Sequence, residues 1–284
     1  MLNYTIAGIN ITYSAAPHEI FDGKLKEYLN HDIGFAADVR IACKYCDEVV
    51  VPNERIAMVN SRVWVRRADG ITIFNYNDQL EIFIAKIDID SEWKNLRIQL
   101  LDTNKHLQLD DPCHRSNVVA ELFRYIVLFH SGVVIHSSSI AYNGSGLLFS
   151  AMSGTGKSTH TGLWQKNYPQ TEIINDDSPA IMMRDSEVLM CGTPFAGSTG
   201  ININKTVPLK AIVFLRRGEI NTIQKISPAE AIKYLIKEVR LPLTSELMDM
   251  ALTHMGTVLS KVPAYLLHCT ISDEAVEVVK KAVF

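Results

Sequence analysis

The stretch Val134-Ile135-His136-Ser137-Ser138-Ser139-Ile140-Ala141-Tyr142-Asn143-Gly144-Ser145-Gly146-Leu147-Leu148-Phe149-Ser150-Ala151-Met152-Ser153-Gly154-Thr155-Gly156-Lys157-Ser158-Thr159 decides how this chain is read. Two strand-like runs, Val134–Tyr142 and Ser145–Ser150, flank Asn143-Gly144, the dipeptide of tight hairpin turns. Parallel neighbours would need a crossover of about a dozen residues, so the two runs pair antiparallel. With Asn143 and Gly144 as the turn, Tyr142 faces Ser145. Stepping outward pair by pair then sets His136 opposite Ala151.

The second run leads into Ala151-Met152-Ser153-Gly154-Thr155-Gly156-Lys157-Ser158-Thr159. This follows the G-x-x-x-x-G-K-[ST] pattern of phosphate-binding loops, with Ala151 at the first position. Small residues let successive backbone N–H groups turn inward around phosphate oxygens. Gly154 and Gly156 take positive φ without steric cost. The segment Thr159–Trp164 continues as a helix, whose N-terminus carries unpaired N–H groups and partial positive charge. Ser153, Gly154, Thr155, Gly156, Lys157, Ser158 and Thr159 are therefore the expected nucleotide-binding residues. Lys157 reaches the β and γ phosphates, and the Ser158 hydroxyl ligates magnesium. The cofactors expected are ATP and Mg2+. An antiparallel entry into such a loop separates it from the doubly wound nucleotide-binding folds, which enter from a parallel sheet.

Two further groups belong with the loop. The hairpin register brings His136 to its mouth, within reach of a phosphate or an incoming nucleophile. Asp176-Asp177 follows Thr171–Asn175, which reads as a strand end, about twenty residues after Lys157 and so one helix and one return strand away. Phosphoryl transfer needs a metal to neutralise the triphosphate and a group to orient or deprotonate the nucleophile. Adjacent carboxylates divide those tasks, and their like charges push one pKa upward. His136, Lys157, Asp176 and Asp177 are the expected catalytic residues; Ser158 and Asp177 are the expected metal ligands.

Working outward, residues 1–105 read as a β-rich part. Its runs are Tyr4–Tyr13, Glu48–Val51, Arg62–Arg67, Ile71–Tyr76, Leu80–Ile89 and Leu96–Leu101. Residues 106–284 read as the nucleotide-binding part. Apolar spacing predicts a helix over 114–130, with Ser116 as its cap. Ser227-Pro228-Ala229-Glu230 signals another helix start, with Ser227 as N-cap and Glu230 closing a capping box. Helices over 228–239 and 245–259, a strand at Tyr265–Thr270 and a last helix from Asp273 complete the chain. The glycine-rich run Gly192–Gly200 reads equally as a closing loop or a surface loop. Arg216 and Arg217 read as part of a hairpin turn, or as transition-state charge stabilisers.

Composition narrows the rest. The chain has 284 residues, 47% hydrophobic, with a formal net charge of −3. No basic block marks a nucleic-acid footprint. No segment approaches the ~20 apolar residues of a membrane span, and the first residues do not read as a signal peptide. The lone Cys43-x-x-Cys46 has no second ligand pair, so the five cysteines suit a reduced, cytoplasmic protein.

Together, Ile135-His136-Ser137, the loop Ser153–Thr159 and the Asp176-Asp177 pair resemble the HPr serine kinase/phosphorylase family over residues 130–220. The loop is also similar to that of phosphoenolpyruvate carboxykinase, which shares the nucleotide-binding core. The resemblance implies an α/β fold with α+β character and a kinase that uses ATP and a divalent cation. It further implies that His136 lies near the transferred phosphate, that one of Asp176 and Asp177 is a base toward a serine hydroxyl, and that Ser158 and an aspartate hold the metal. Thr159 stands where HPr kinases usually carry Glu, and their C-terminal segment has no good match. The chain is more similar to stand-alone HPr-kinase-like proteins, some of which phosphorylate a serine of a precursor peptide. The acceptor is then a hydroxyl of a peptide, a protein or a small molecule; a homo-oligomer stays open. A nucleotide-binding module without turnover is the rival reading.

Overall fold

The computed structural model describes residues 1–17, 19–51, 58–102, 114–197, 199–239 and 244–284. The chain divides into two compact units, Met1–Glu121 and Leu122–Phe284. The division falls within the helix His114–Phe129. Both units are built on a β-sheet, so the protein is mixed α/β.

The first unit holds an eight-stranded sheet of β1 (Leu2–Ile6), β2 (Ile9–Ser14), β3 (Val39–Cys46), β4 (Met58–Val59), β5 (Arg62–Arg67), β6 (Gly70–Asn77), β7 (Ile82–Asp90) and β8 (Asn95–Leu101), in the order β1-β2-β3-β8-β7-β6-β5-β4. Pairs β2–β3 and β3–β8 are parallel; the other pairs are antiparallel. Alternation explains the burial. In β3, Val39, Ile41 and Cys43 are buried, while Arg40, Ala42 and Lys44 are exposed.

Three expectations for this unit change. The run Tyr4–Tyr13 is a hairpin, because Ala7 and Gly8 both take positive φ and turn the chain. Glu48–Val51 forms no strand, and Val50 is 69% exposed; β-branched composition without a partner strand does not make a sheet. Ser116 lies inside its helix, not at the cap. Cys43 and Cys46 are free and sit three apart on a strand, which turns them to opposite faces. Among the described residues no cluster of three or more His, Cys, Asp or Glu could hold a metal.

The second unit carries nine strands: β9 (Gly132–Val134), β10 (Ser137–Tyr142), β11 (Ser145–Ser150), β12 (Glu172–Asn175), β13 (Ala180–Arg184), β14 (Glu187–Cys191), β15 (Thr206–Arg217), β16 (Thr222–Ile226) and β17 (Ala264–Cys269). The hairpin register holds as read. Ser137 pairs with Ser150 and Tyr142 with Ser145, and Asn143 and Gly144 both take the left-handed φ such a turn requires. On its other side β11 runs parallel to β15. The twelve-residue β15 serves two neighbourhoods. Its first residues, Thr206–Pro208, pair antiparallel with β14, and its later ones pair parallel with β11 and β17. Gly132 on β9 is fixed by space, since a Cβ there would stand 2.5 Å from the Met182 sulfur and 2.7 Å from the Ile181 carbonyl.

Helices cover both faces of this sheet. Leu148, Ile212 and Phe214 pack with Leu235 of the helix Pro228–Glu238 and with Met255 and Val258 of Ser245–Lys261. Leu147, Phe149, Val213 and Leu215 turn the other way, onto Trp164 of Lys157–Asn167 and Val276 and Val279 of Asp273–Val283. Burial on both faces is why β11 and β15 read as unbroken apolar runs. Each such side chain contributes about 1.5–3 kcal/mol. Ser227 accepts from the Glu230 backbone N–H at 3.2 Å, as its sequence signal required.

Candidate active site at the end of β11

Strand β11 ends at Ser150, and the turn Ala151–Gly156 leads into the helix Lys157–Asn167. Gly154 has φ 75° and Gly156 φ 118°, conformations that favour glycine. The loop closes on itself through Thr155 N–H to the Met152 carbonyl at 3.1 Å. Ser158 and Thr159 stand exposed on the first helical turn.

The mostly buried Lys157 ammonium bends back to donate to the Ala151 carbonyl at 2.8 Å and lies 3.0 Å from His136 Nε2. Its pKa is lowered by burial, against the pull of Glu238, Asp177 and Asp176. The pairing ends at Ser137–Ser150, and His136, the residue before β10, reaches the loop lysine through its side chain. Its Nδ1 is 3.1 Å from Asp177 Oδ1. Lys157, His136 and Asp177 therefore form one continuous chain of contacts. With Asp177 ionised, Nδ1 carries the proton, and Nε2 offers its lone pair to the lysine ammonium.

The two aspartates diverge. Asp177 accepts Ser178 Oγ at 2.6 Å besides its histidine. Burial alone would raise its pKa, but the hydrogen bonds from His136 and Ser178 and the Arg124 charge hold it below the usual carboxylate range. The raised carboxylate expected from like charges is thus not found at Asp177. Asp176 is 8% exposed and accepts Ser138 Oγ at 2.6 Å. Ser138 lies 3.0 Å from Thr161 Oγ1, which ties Asp176 to the helix that follows the loop. Asn175 Oδ1 accepts the N–H groups of Asp177 (2.9 Å) and Ser178 (2.7 Å), an Asx turn that aims the two carboxylates apart.

Thr193 and Gly197 of the glycine-rich run belong here too. Thr193 Oγ1 donates to the Ser178 carbonyl at 2.7 Å, and a Cβ on Gly197 would stand 3.2 Å from that of Asp177. Arg124 and Glu238, which motif reading passed over, join the site together with Arg217. Arg124 Nη2 reaches Ser178 Oγ at 3.3 Å. The Glu238 carbonyl accepts the His136 N–H at 3.0 Å. Arg217 Nη2 donates to the Gly154 carbonyl at 2.7 Å. Arg216 and Arg217 end β15 and are not the turn of a hairpin, because β17 lies between β15 and β16.

Comparison with known proteins places residues 114–284 under the family model described as SynChlorMet cassette protein ScmC. The chain belongs to the ScmC family. The family shown is therefore ScmC and not HPr kinase. No curated protein sequence matches the chain. Among 48 solved chains that match, the HPr(Ser) kinase/phosphatase from Coxiella burnetii aligns at 8% identity with a TM-score of 0.31. That alignment covers 52% of this chain and 95% of that one. At this level of similarity nothing about the ScmC-family chain is argued from it. Among the described residues no helix is long and apolar enough to cross a membrane.

Proposed function

We propose that this chain is an ATP-dependent phosphotransferase that moves the γ-phosphate to a hydroxyl, a serine of a peptide or protein being the leading acceptor. One observation carries the reading: the Lys157–His136–Asp177 chain stands at the mouth of the glycine loop. A loop that only holds nucleotide has no use for a histidine–carboxylate pair beside its lysine.

In this reading the N–H groups of the loop and first helical turn cradle the phosphates, and Lys157 neutralises charge between β and γ. Among the described residues two of its three donors are engaged, so one is left for the nucleotide. The acceptor oxygen attacks the γ-phosphorus, the bond to the β–γ bridging oxygen breaks, and ADP leaves. The acceptor proton passes to Asp177. A carboxylate held low in pKa is a weak base, which suits a loose transition state where the proton leaves late. His136 orients that carboxylate.

The donors fit a hard cation, which prefers oxygen and keeps several waters and phosphate oxygens. Ser158 is one donor. Both Asp177 oxygens are engaged by His136 and Ser178. Asp176 has one oxygen on Ser138 and, among the described residues, no hydrogen-bond partner for the other. We therefore assign the metal to Ser158 and Asp176, with Asp177 as base. Bound Mg2+ would neutralise the triphosphate and activate the γ-phosphorus for attack.

The test is transfer of labelled γ-phosphate to a panel of serine peptides and small alcohols. Lys157→Ala and Asp177→Asn should abolish it. Equal product from both variants and the wild type would overturn the site. Tight ATP binding with no product across the panel would establish the non-catalytic rival.

A further inference from the structure

A cleft of about 630 Å³ opens beside the first half of the loop, between the end of β15 and the helix Pro228–Glu238. Arg216, Arg217, Tyr234, Lys237 and Glu238 line it, so three cations meet one carboxylate. The three cations are exposed, and among the described residues none of them makes an ion pair. Arg216 is stacked all the same. Its guanidinium lies 5.4 Å above the Tyr234 ring, and that ring stacks on Phe214 at 4.9 Å. Stacking fixes the plane of the fork and leaves its N–H edges free.

The position of the cleft says which end of a nucleotide it faces. Lys157 marks the β–γ end of a bound triphosphate. It is hydrogen-bonded to the carbonyl of Ala151, a residue of the cleft wall. Glu238, also in the wall, accepts the His136 N–H through its carbonyl. Ser158 and Thr159, on the helix that takes the inner phosphates, are not in the wall. With the nucleotide placed as proposed, the cleft faces its γ-phosphate end and not the nucleoside.

We propose that this cleft is the acceptor subsite and that the acceptor presents a carboxylate close to its hydroxyl. The inference rests on the phosphotransfer reading and gives its substrate a chemical class. An acidic peptide segment and a small hydroxy acid share that chemistry. Arg216 and Lys237 hold the carboxylate, and Tyr234 gives the acceptor an apolar floor.

The experiment measures binding of two labelled pentapeptides, Gly-Asp-Ser-Glu-Gly and Gly-Lys-Ser-Lys-Gly, to the full chain with a non-hydrolysable ATP analogue present. The acidic peptide should bind at least about tenfold more tightly. Arg216→Ser with Lys237→Ser should erase the preference and leave analogue affinity within about twofold. Arg216→Glu should invert it. Competition by glycerate at the same site would assign the carboxylate to a small hydroxy acid; failure to compete assigns it to a peptide. Equal binding of both peptides to the wild type overturns the inference. So does a large loss of analogue affinity in the double variant, since that makes the cleft the nucleoside pocket. If the analogue does not bind the wild type at all, the phosphotransfer reading itself fails and takes this inference with it.

Discussion

The two flanks of β11 differ in how finished they are. On the β10–β12 side the polar groups are buried or half-buried and hold one another: Ser138 on Asp176, Asn175 on the Asp177 and Ser178 amides, His136 on Asp177. On the β15–β17 side the charges are exposed, and among the described residues Arg216 and Lys237 make no ion pair. Groups that must hold one geometry during bond making are locked by neighbours beforehand. Groups that recognise a partner keep donors free until it arrives. In the proposed reading the difference assigns chemistry to the first flank and selection to the second.

The hardest blow to that contrast comes from Lys157→Ala. It removes the cation that joins loop and histidine, and transfer should fall by about 10³ or more. His136→Gln should cost about 10²-fold, because Asp177 loses its main orienting contact. It also carries a sign. The histidine hydrogen bond is the largest influence lowering the Asp177 pKa, so its removal must move the acid limb of the pH–rate profile upward. A smaller rate with an unmoved limb would show that Asp177 is not the titrating base.

A stability effect comes next. His160, on the helix after the loop, is buried, and burial lowers its pKa to about 4 from 6.5. Its Nε2 accepts the Trp164 indole N–H at 3.3 Å, so protonation also breaks a buried contact. The folded pKa lies below the unfolded one, so the unfolded chain binds the extra proton first. Stability is complete above about pH 6.5 and falls as pH drops toward 4, by on the order of 3 kcal/mol. Chemical denaturation across that range should show the slope in the wild type and lose it in His160→Gln.

How much of this was legible follows from how local each cause is. Asn143-Gly144 fixes a turn type and hence a register, and the register carries to His136 without further information. Ser227 and Glu230 act over one helical turn. The Tyr4–Tyr13 hairpin was missed because Ala7 gives no turn signal, and Glu48–Val51 misled because strand composition is only half of a strand. The direction of the Asp177 shift was illegible for a stronger reason. Its neighbour Asp176 is adjacent in sequence, but the contact that lowers it most comes from His136, just before β10, and contact outweighed adjacency. Glu238 falls at the end of the helix read over 228–239, with no motif to mark it. Arg216 and Arg217 looked like a turn, because the insertion of β17 between β15 and β16 is a matter of topology that no local run encodes.

Ser138→Ala tests whether the finished flank is finished for stability or for chemistry. The hydroxyl it removes is buried and bridges Asp176 to Thr161. Leaving a buried carboxylate oxygen without its donor costs about 1–3 kcal/mol, a loss that denaturant midpoints resolve.

Arg217→Ala probes the open flank and should be the mildest of the series. The arginine is exposed and gives one hydrogen bond to the Gly154 carbonyl, so its loss should cost under about 1 kcal/mol of stability. That bond nonetheless holds a peptide plane of the loop. The Thr155 N–H in this plane is turned toward the Met152 carbonyl, whereas a phosphate in the loop would need it turned inward. Removing Arg217 should therefore let the plane turn more readily and leave nucleotide affinity unchanged or slightly higher. A loss of affinity would mean that Arg217 reaches the phosphates itself, and the line between the two flanks would have to be redrawn through the loop.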